Sequence, residues 1–109
     1  MKKYIATFYA YKSQAEFQAN KDNWIHTTGS NLKPEDFKSL ESVKYDKLTG
    51  FYLKPEDFKS LKNELESKAI EFKNSLKSDG VKFVQVYVYV DDDCYVDVIA
   101  DISYDFSEK

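Results

Sequence analysis

The chain contains no arginine: all sixteen of its basic residues are lysine. Without a guanidinium there is no rigid fork for bidentate contact with guanine, phosphate or carboxylate, so the usual tool of sequence-specific nucleic-acid recognition is missing. A single cysteine, Cys94, excludes an internal disulfide and suits a reducing compartment. With three glycines there is no glycine-rich phosphate loop, and with one histidine, His26, no histidine-based metal set. No apolar run is long enough to span a membrane. Met1-Lys2-Lys3 followed by Tyr4 to Tyr11 resembles a signal peptide only faintly, because the run is short, carries three tyrosines and lacks a small-residue cleavage site before Lys12. It reads as a first strand, and the expected location is the cytoplasm.

What the chain does have is aromatic residues, at 17%, and an uneven distribution of charge. The first ninety residues hold fifteen lysines against twelve acids, a net +3. The last nineteen hold one lysine against seven acids, a net −6. That acidic segment is also rich in Val, Ile and Tyr, so it can bury one face of a sheet and display its charge on a rigid surface. At 109 residues, 42% of them hydrophobic, the chain reads as one α+β domain spanning 1–109, large enough to close a core without staples. The bias toward Lys, Asn, Tyr, Phe and Ile matches AT-rich coding, as in low-GC bacteria and their phages.

Residues 3–11 are β-rich and alternate weakly, which predicts the first strand. Residues 13–20 predict a short helix capped by Ser13, with Glu16 at the capping-box position. A short β-prone stretch over 24–28 is expected to end at Gly29-Ser30. The nine residues LKPEDFKSL then occur twice, at 32–40 and 53–61. Each copy is expected to start a helix, with proline at the first helical position and two carboxylates against the positive end of the helix dipole. After the second copy, Phe58, Leu61, Leu65, Ala69, Phe72 and Leu76 form one stripe of a long helix over 55–77, closed by Gly80. After the first copy the stripe fails at Lys44, and residues 46–50 read as a turn, with Gly50 left-handed, joining 43–45 to 51–53 as a small hairpin. Two unlike copies fall short of the three needed to stack a solenoid.

The C-terminal part reads as a hairpin. Val84, Val86, Val88 and Val90 share one strand face, as do Cys94, Val96, Val98, Ala100 and Ile102 on the next. Pairing these faces through a three-residue turn at Asp91-Asp92-Asp93 sets Val90 opposite Cys94, Val88 opposite Val96 and Val86 opposite Val98. It also sets Tyr89 opposite Tyr95 and Tyr87 opposite Asp97. The other face then shows Phe83, Gln85, Tyr87, Tyr89, Tyr95, Asp97, Ile99, Asp101, Ser103 and Asp105. The aliphatic face needs a cover, and the long helix is the natural one. The expected architecture is therefore an antiparallel sheet of the N-terminal strand and C-terminal hairpin under one long helix, with the short helix and small hairpin between.

Nothing in the residues points to catalysis. His26 has no partner nearby in sequence, and Cys94 reads as a small buried thiol beside the turn. Asp91-Asp92-Asp93 lacks the spacing and distal glutamate of a calcium loop, and aspartate is a common turn residue. No cofactor or metal is expected. Direct nucleic-acid binding is disfavoured, because the lysines are scattered and the aromatic strand face carries aspartates that repel phosphate. The same face suits the opposite role, occupying a basic nucleic-acid-binding groove of a host protein. Asp97, Asp101 and Asp105 would lie about 13 Å apart, matching every second phosphate. The expected partner-binding residues are Tyr87, Tyr89, Asp91, Asp92, Asp93, Tyr95, Asp97, Asp101 and Asp105, and the expected function is that of a non-enzymatic accessory or inhibitor protein. The other reading is a self-assembling module, a homodimer using the tyrosine face, in which the aspartates keep a flat β-surface soluble.

Overall fold

A computed structural model of the chain describes residues 2–93 and 95–107. In chain order these form β1 (Lys3–Tyr11), α1 (Gln14–Ala19), β2 (His26–Leu32), β3 (Lys44–Asp46), β4 (Gly50–Tyr52), α2 (Pro55–Ser75), β5 (Phe83–Asp92) and β6 (Tyr95–Asp105), with single 3-10 turns at Lys21–Asn23, Lys38–Ser42 and Lys77–Asp79. One antiparallel sheet has the order β2-β1-β5-β6, and β3 and β4 form a separate small hairpin. The architecture is α+β, as the patterning predicts. No helix among the described residues is long and apolar enough to cross a membrane.

The inner face of the sheet is the core. Tyr4, Ala6, Phe8 and Ala10 of β1, Val84, Val86, Val88 and Val90 of β5, and Ala100, Ile102 and Tyr104 of β6 are all buried there. α2 covers them with Leu61, Leu65 and Ala69, each fully buried, while Phe58, Phe72 and Leu76 pack at its margins. Pro55 begins α2 with Glu56 and Asp57 in the first turn, where carboxylates meet the positive helix end. The helix stops at Ser75, two residues short of the expected Lys77, and the chain leaves it through a 3-10 turn ending on Gly80 at φ 68°. α1 begins where expected, with Ser13 Oγ accepting from the Glu16 N–H at 3.2 Å. The small hairpin also forms, with Gly50 left-handed at φ 81°.

Three expectations are corrected. The stretch expected to end at Gly29-Ser30 instead continues through both residues as β2, pairing along β1 from His26 opposite Ala10 to Leu32 opposite Tyr4. An edge strand tolerates a glycine whose outer side is bare, and nothing here interrupts the ladder.

The first LKPEDFKSL copy does not open an α-helix. Its first turn forms, since the Lys33 carbonyl accepts from the N–H groups of Asp36 (2.9 Å) and Phe37 (3.1 Å). The second copy makes the same pair of bonds, from Asp57 (3.0 Å) and Phe58 (2.9 Å) to the Lys54 carbonyl. At Phe37, however, the backbone leaves helical space (φ −131°, ψ 83°), and a 3-10 turn follows. Leu32, Phe37 and Leu40 are all buried in this tighter arrangement, and Glu64 of α2 accepts from the Ser39 N–H at 3.3 Å.

The hairpin register differs as well. β5 and β6 pair from Phe83–Asp105 to Val88–Ala100, then shift by one residue, so that Tyr89 faces Val98, Val90 faces Asp97 and Asp92 faces Tyr95. Ile99 is the extra residue of a β-bulge. Asp91 and Asp92 belong to β5 instead of the expected three-residue turn, and the expected pairs Val88–Val96, Val86–Val98, Tyr89–Tyr95 and Tyr87–Asp97 are not formed. The expected pairing and burial of Cys94 lie outside the described residues.

Leu65 has no exposed surface and sits in the middle of the α2 stripe. Leu65→Ala is expected to cost about 2–5 kcal/mol of unfolding free energy by chemical denaturation. A loss below about 0.5 kcal/mol, the size of an ordinary surface change, would mean that α2 does not cover the sheet.

Candidate functional site

The outer face of the sheet divides into a roofed end and an open end. At the roofed end, Phe17 of α1 stacks on Phe83 (ring centroids 5.0 Å) and meets Tyr11 edge-on at 5.1 Å. The Tyr11 hydroxyl donates to the Lys21 carbonyl at 2.6 Å, and burial first of all pushes its pKa up to about 12, with Tyr87, Tyr9 and Asp22 adding. This clamp is why Phe83, although on the face away from α2, is buried.

The open end carries Tyr9 of β1 and Tyr87 and Tyr89 of β5, all half-buried. Tyr9 packs against Tyr87 and against Trp24, each at 5.8 Å between centroids. Burial raises the Tyr87 pKa, and the neighbouring Asp101 charge raises it further, followed by Tyr89 and Tyr9. Burial likewise raises that of Tyr89, with Tyr9 second. Tyr87 and Tyr89 therefore stay protonated through neutral pH and remain available as donors. Beside them, Val96 and Val98 stand out at 57% and 51% exposure, together with Trp24 at 41%.

The bulge put the valines there. Below it, Ala100, Ile102 and Tyr104 face inward opposite Val88, Val86 and Val84. Above it the alternation is inverted, so Val96 and Val98 turn outward and Asp97 turns inward, while Ile99 is buried with the core instead of lying on the outer face. Sequence reasoning missed Val96 and Val98 as surface residues. The available signal was Val98-Ile99-Ala100, three consecutive apolar residues in an otherwise alternating strand, which marks a bulge.

The expected site residues separate accordingly. Tyr87, Tyr89, Asp91, Asp101 and Asp105 lie on the outer face. Asp101 is opposite Tyr87 and accepts from Gln85 Nε2. The fully buried Gln85 amide in turn accepts from Ser103 Oγ at 2.5 Å, so a satisfied polar network fixes the Asp101 carboxylate in place. Asp105 accepts from the Ser107 hydroxyl (2.7 Å) and N–H (3.0 Å), and these two bonds lower its pKa. Asp93 is exposed in the turn, its N–H donating to Asp92 Oδ1 at 2.9 Å. Tyr95 contributes a strand position opposite Asp92.

Asp92 and Asp97 belong to the inner side. Asp92 acts on buried Tyr4, whose pKa is raised mainly by burial and secondly by that charge. Asp97 Oδ2 accepts from the Phe51 N–H at 3.1 Å and thereby ties the β3–β4 hairpin to β6. The expected row of Asp97, Asp101 and Asp105 on one face is not formed, because the bulge lies between its first and second members. Among the described residues no three His, Cys, Asp or Glu side chains gather to hold a metal ion. His26 Nε2 and Asp79 Oδ2, 2.9 Å apart and both well exposed, link β2 to the turn after α2.

Asp97→Ala would remove the acceptor of an amide belonging to a buried residue, at a cost of about 1–3 kcal/mol. Hydrogen exchange should show Phe51 and the β3–β4 hairpin losing protection while the rest of the sheet keeps its own. Gly50→Ala should loosen the same hairpin, since the added Cβ would sit 2.5 Å from Asp97 Oδ2 at φ 81°. Unchanged Phe51 exchange in both variants would mean that Asp97 is not the tether.

No protein-family model, curated protein or solved structure matches the chain.

Proposed function

We propose that this chain is a non-enzymatic binding protein whose outer sheet face docks on a basic, nucleic-acid-binding surface of a host protein and blocks it. The concrete version is an inhibitor of the anti-CRISPR or anti-restriction kind, encoded by a phage or mobile element and acting in the cytoplasm. The observation that carries this reading is the composition of the open end. Tyr87, Tyr89, Val96 and Val98 form an apolar and aromatic centre, Asp91, Asp93 and Asp101 stand around it, and Asp105 extends the acidic row along β6 to the roofed end, opposite Phe83. From Phe83 to Ser107 the chain has six aspartates and no lysine. A partner surface of opposite charge complements that rim, while the centre supplies the apolar contact typical of interface cores. The same rim repels phosphate, so nucleic acid itself is not the ligand.

A second reading rests on Val96 and Val98. Two half-exposed valines on an eleven-residue edge strand suit self-pairing into a homodimer. Light scattering separates the two, because the homodimer requires a stable oligomer of the chain alone.

The test replaces Asp91, Asp101 and Asp105 with asparagine, which keeps an acceptor for Gln85 and leaves the Asp97 tether intact. A host protein retained by the wild-type chain should be released by added salt and by heparin, a polyanion that competes for a basic groove. The triple variant should associate roughly tenfold more slowly or worse, with its own stability nearly unchanged. Salt-insensitive capture, or equal capture by the variant, would overturn the acidic-rim reading.

A further inference from the structure

We propose that the cleft between Tyr9, Trp24 and Tyr87 is a binding site for an alkylammonium group, the charged head of a lysine side chain or of a methylated ammonium. This deepens the docking reading, since it names a chemical group that the outer face would take from its partner. Four observations converge on it. The first is shape: the cleft measures about 180 Å³ and is lined by Tyr9, Tyr11, Trp24 and Tyr87. The Tyr9 ring touches Trp24 at a tilt of 58° and Tyr87 at 73°, so ring faces meet at steep angles instead of lying parallel. Steeply inclined rings line this half-open cleft with faces as well as edges, and the ring faces attract an organic cation.

The second is charge. Asp22 lines the cleft, and Asp101 acts on Tyr87 from the neighbouring strand. Both carboxylates favour a cation. The third is that no cation among the described residues is seated on these rings. Three rings elsewhere carry one: Lys2 lies over Phe51 at 5.5 Å, Lys62 over Tyr104 at 5.9 Å and Lys73 over Phe106 at 5.4 Å. Among the described residues no lysine lies over Tyr9, Trp24 or Tyr87. Lys21 lines the cleft as well, its carbonyl held by the Tyr11 hydroxyl, and its charge opposes that of Asp22, leaving Asp101 beside Tyr87 as the further carboxylate that favours a cation. The fourth is exposure. Trp24 is the only tryptophan of the chain and leaves 41% of its surface open on a well-built scaffold. Tryptophan has the strongest cation-binding ring of the natural side chains.

Choline chloride tests the site, and 3,3-dimethylbutan-1-ol, its uncharged carbon isostere, separates cation binding from simple burial of methyl groups. Fluorescence of Trp24 and the NMR ring signals of Tyr9, Trp24 and Tyr87 report on the cleft, with sodium chloride added to match ionic strength. Choline should shift these signals saturably, and the isostere should bind about tenfold more weakly, the fold-change a partly desolvated cation–π contact supplies. Trp24→Leu, at an exposed position that the core does not need, should weaken choline by a similar factor when followed on the tyrosine signals, with the circular dichroism spectrum retained. Equal binding of choline and its isostere, or no saturable shift in the folded wild-type chain, would overturn the proposal. Because the isolated chain is used, its failure leaves the acidic-rim docking standing if the triple aspartate variant still loses the partner. The converse result would remove the rim and leave the cleft.

Discussion

Ile99 gives β6 one residue more than its partner needs between Val88 and Tyr89, and both faces of the hairpin depend on that insertion. Side chains of a strand alternate with a period of two, so one extra residue exchanges the faces of everything beyond it. Here it delivers Asp97 to the inner side, where it holds the Phe51 amide, and it delivers Val96 and Val98 to the outer face. The β3–β4 hairpin is thereby fixed to the sheet, and the open face acquires its apolar centre. A regular strand would have buried the valines, left Asp97 among the tyrosines and offered no acceptor to the small hairpin.

A bare sheet face with exposed valines on an edge strand invites indiscriminate pairing. Three features restrain it. The bulge disrupts the ladder of the edge strand. Asp101 and Asp105 place fixed charge along the same strand, one held by buried Gln85 and the other by Ser107. α1 roofs the far end through Phe17 and the Tyr11 clamp. What stays open is limited in extent, aromatic in the middle and acidic at the rim. That combination suits selective association with a basic partner better than it suits general stickiness.

Much of the candidate site was legible in the residues themselves. The acidic bias of the last nineteen positions and the tyrosines of β5 are local facts, and Tyr87, Tyr89, Asp91, Asp101 and Asp105 share a face because they lie in correct phase with one another. Asp97 was misplaced because strict alternation was carried across Val98-Ile99-Ala100. Trp24 and Tyr9 were not legible as part of the site. Trp24 reaches Tyr9 through the pairing of β1 with β2, and Tyr9 reaches Tyr87 through the pairing of β1 with β5, a long-range arrangement that no spacing along the chain encodes.

The two copies of LKPEDFKSL separate local from tertiary determinants most clearly. In both, lysine, proline and two acids form the same first turn, with the same pair of bonds to the lysine carbonyl. Sequence by itself determined that turn, because proline sets the backbone angle and the carboxylates favour a helix start wherever they occur. It also determined the stripe of α2, the valine face of β5 and the left-handed Gly50, each a matter of periodicity or of one residue's steric freedom. Whether the turn continues was decided by the surroundings. After Leu61 the apolar positions go on recurring at helical spacing, and the sheet gives that stripe something to cover. After Leu40 they do not, and Leu32, Phe37 and Leu40 bury themselves by leaving the helix. The direction of the chain beyond one turn follows the apolar surface within reach, and only the assembled sheet and α2 provide that surface.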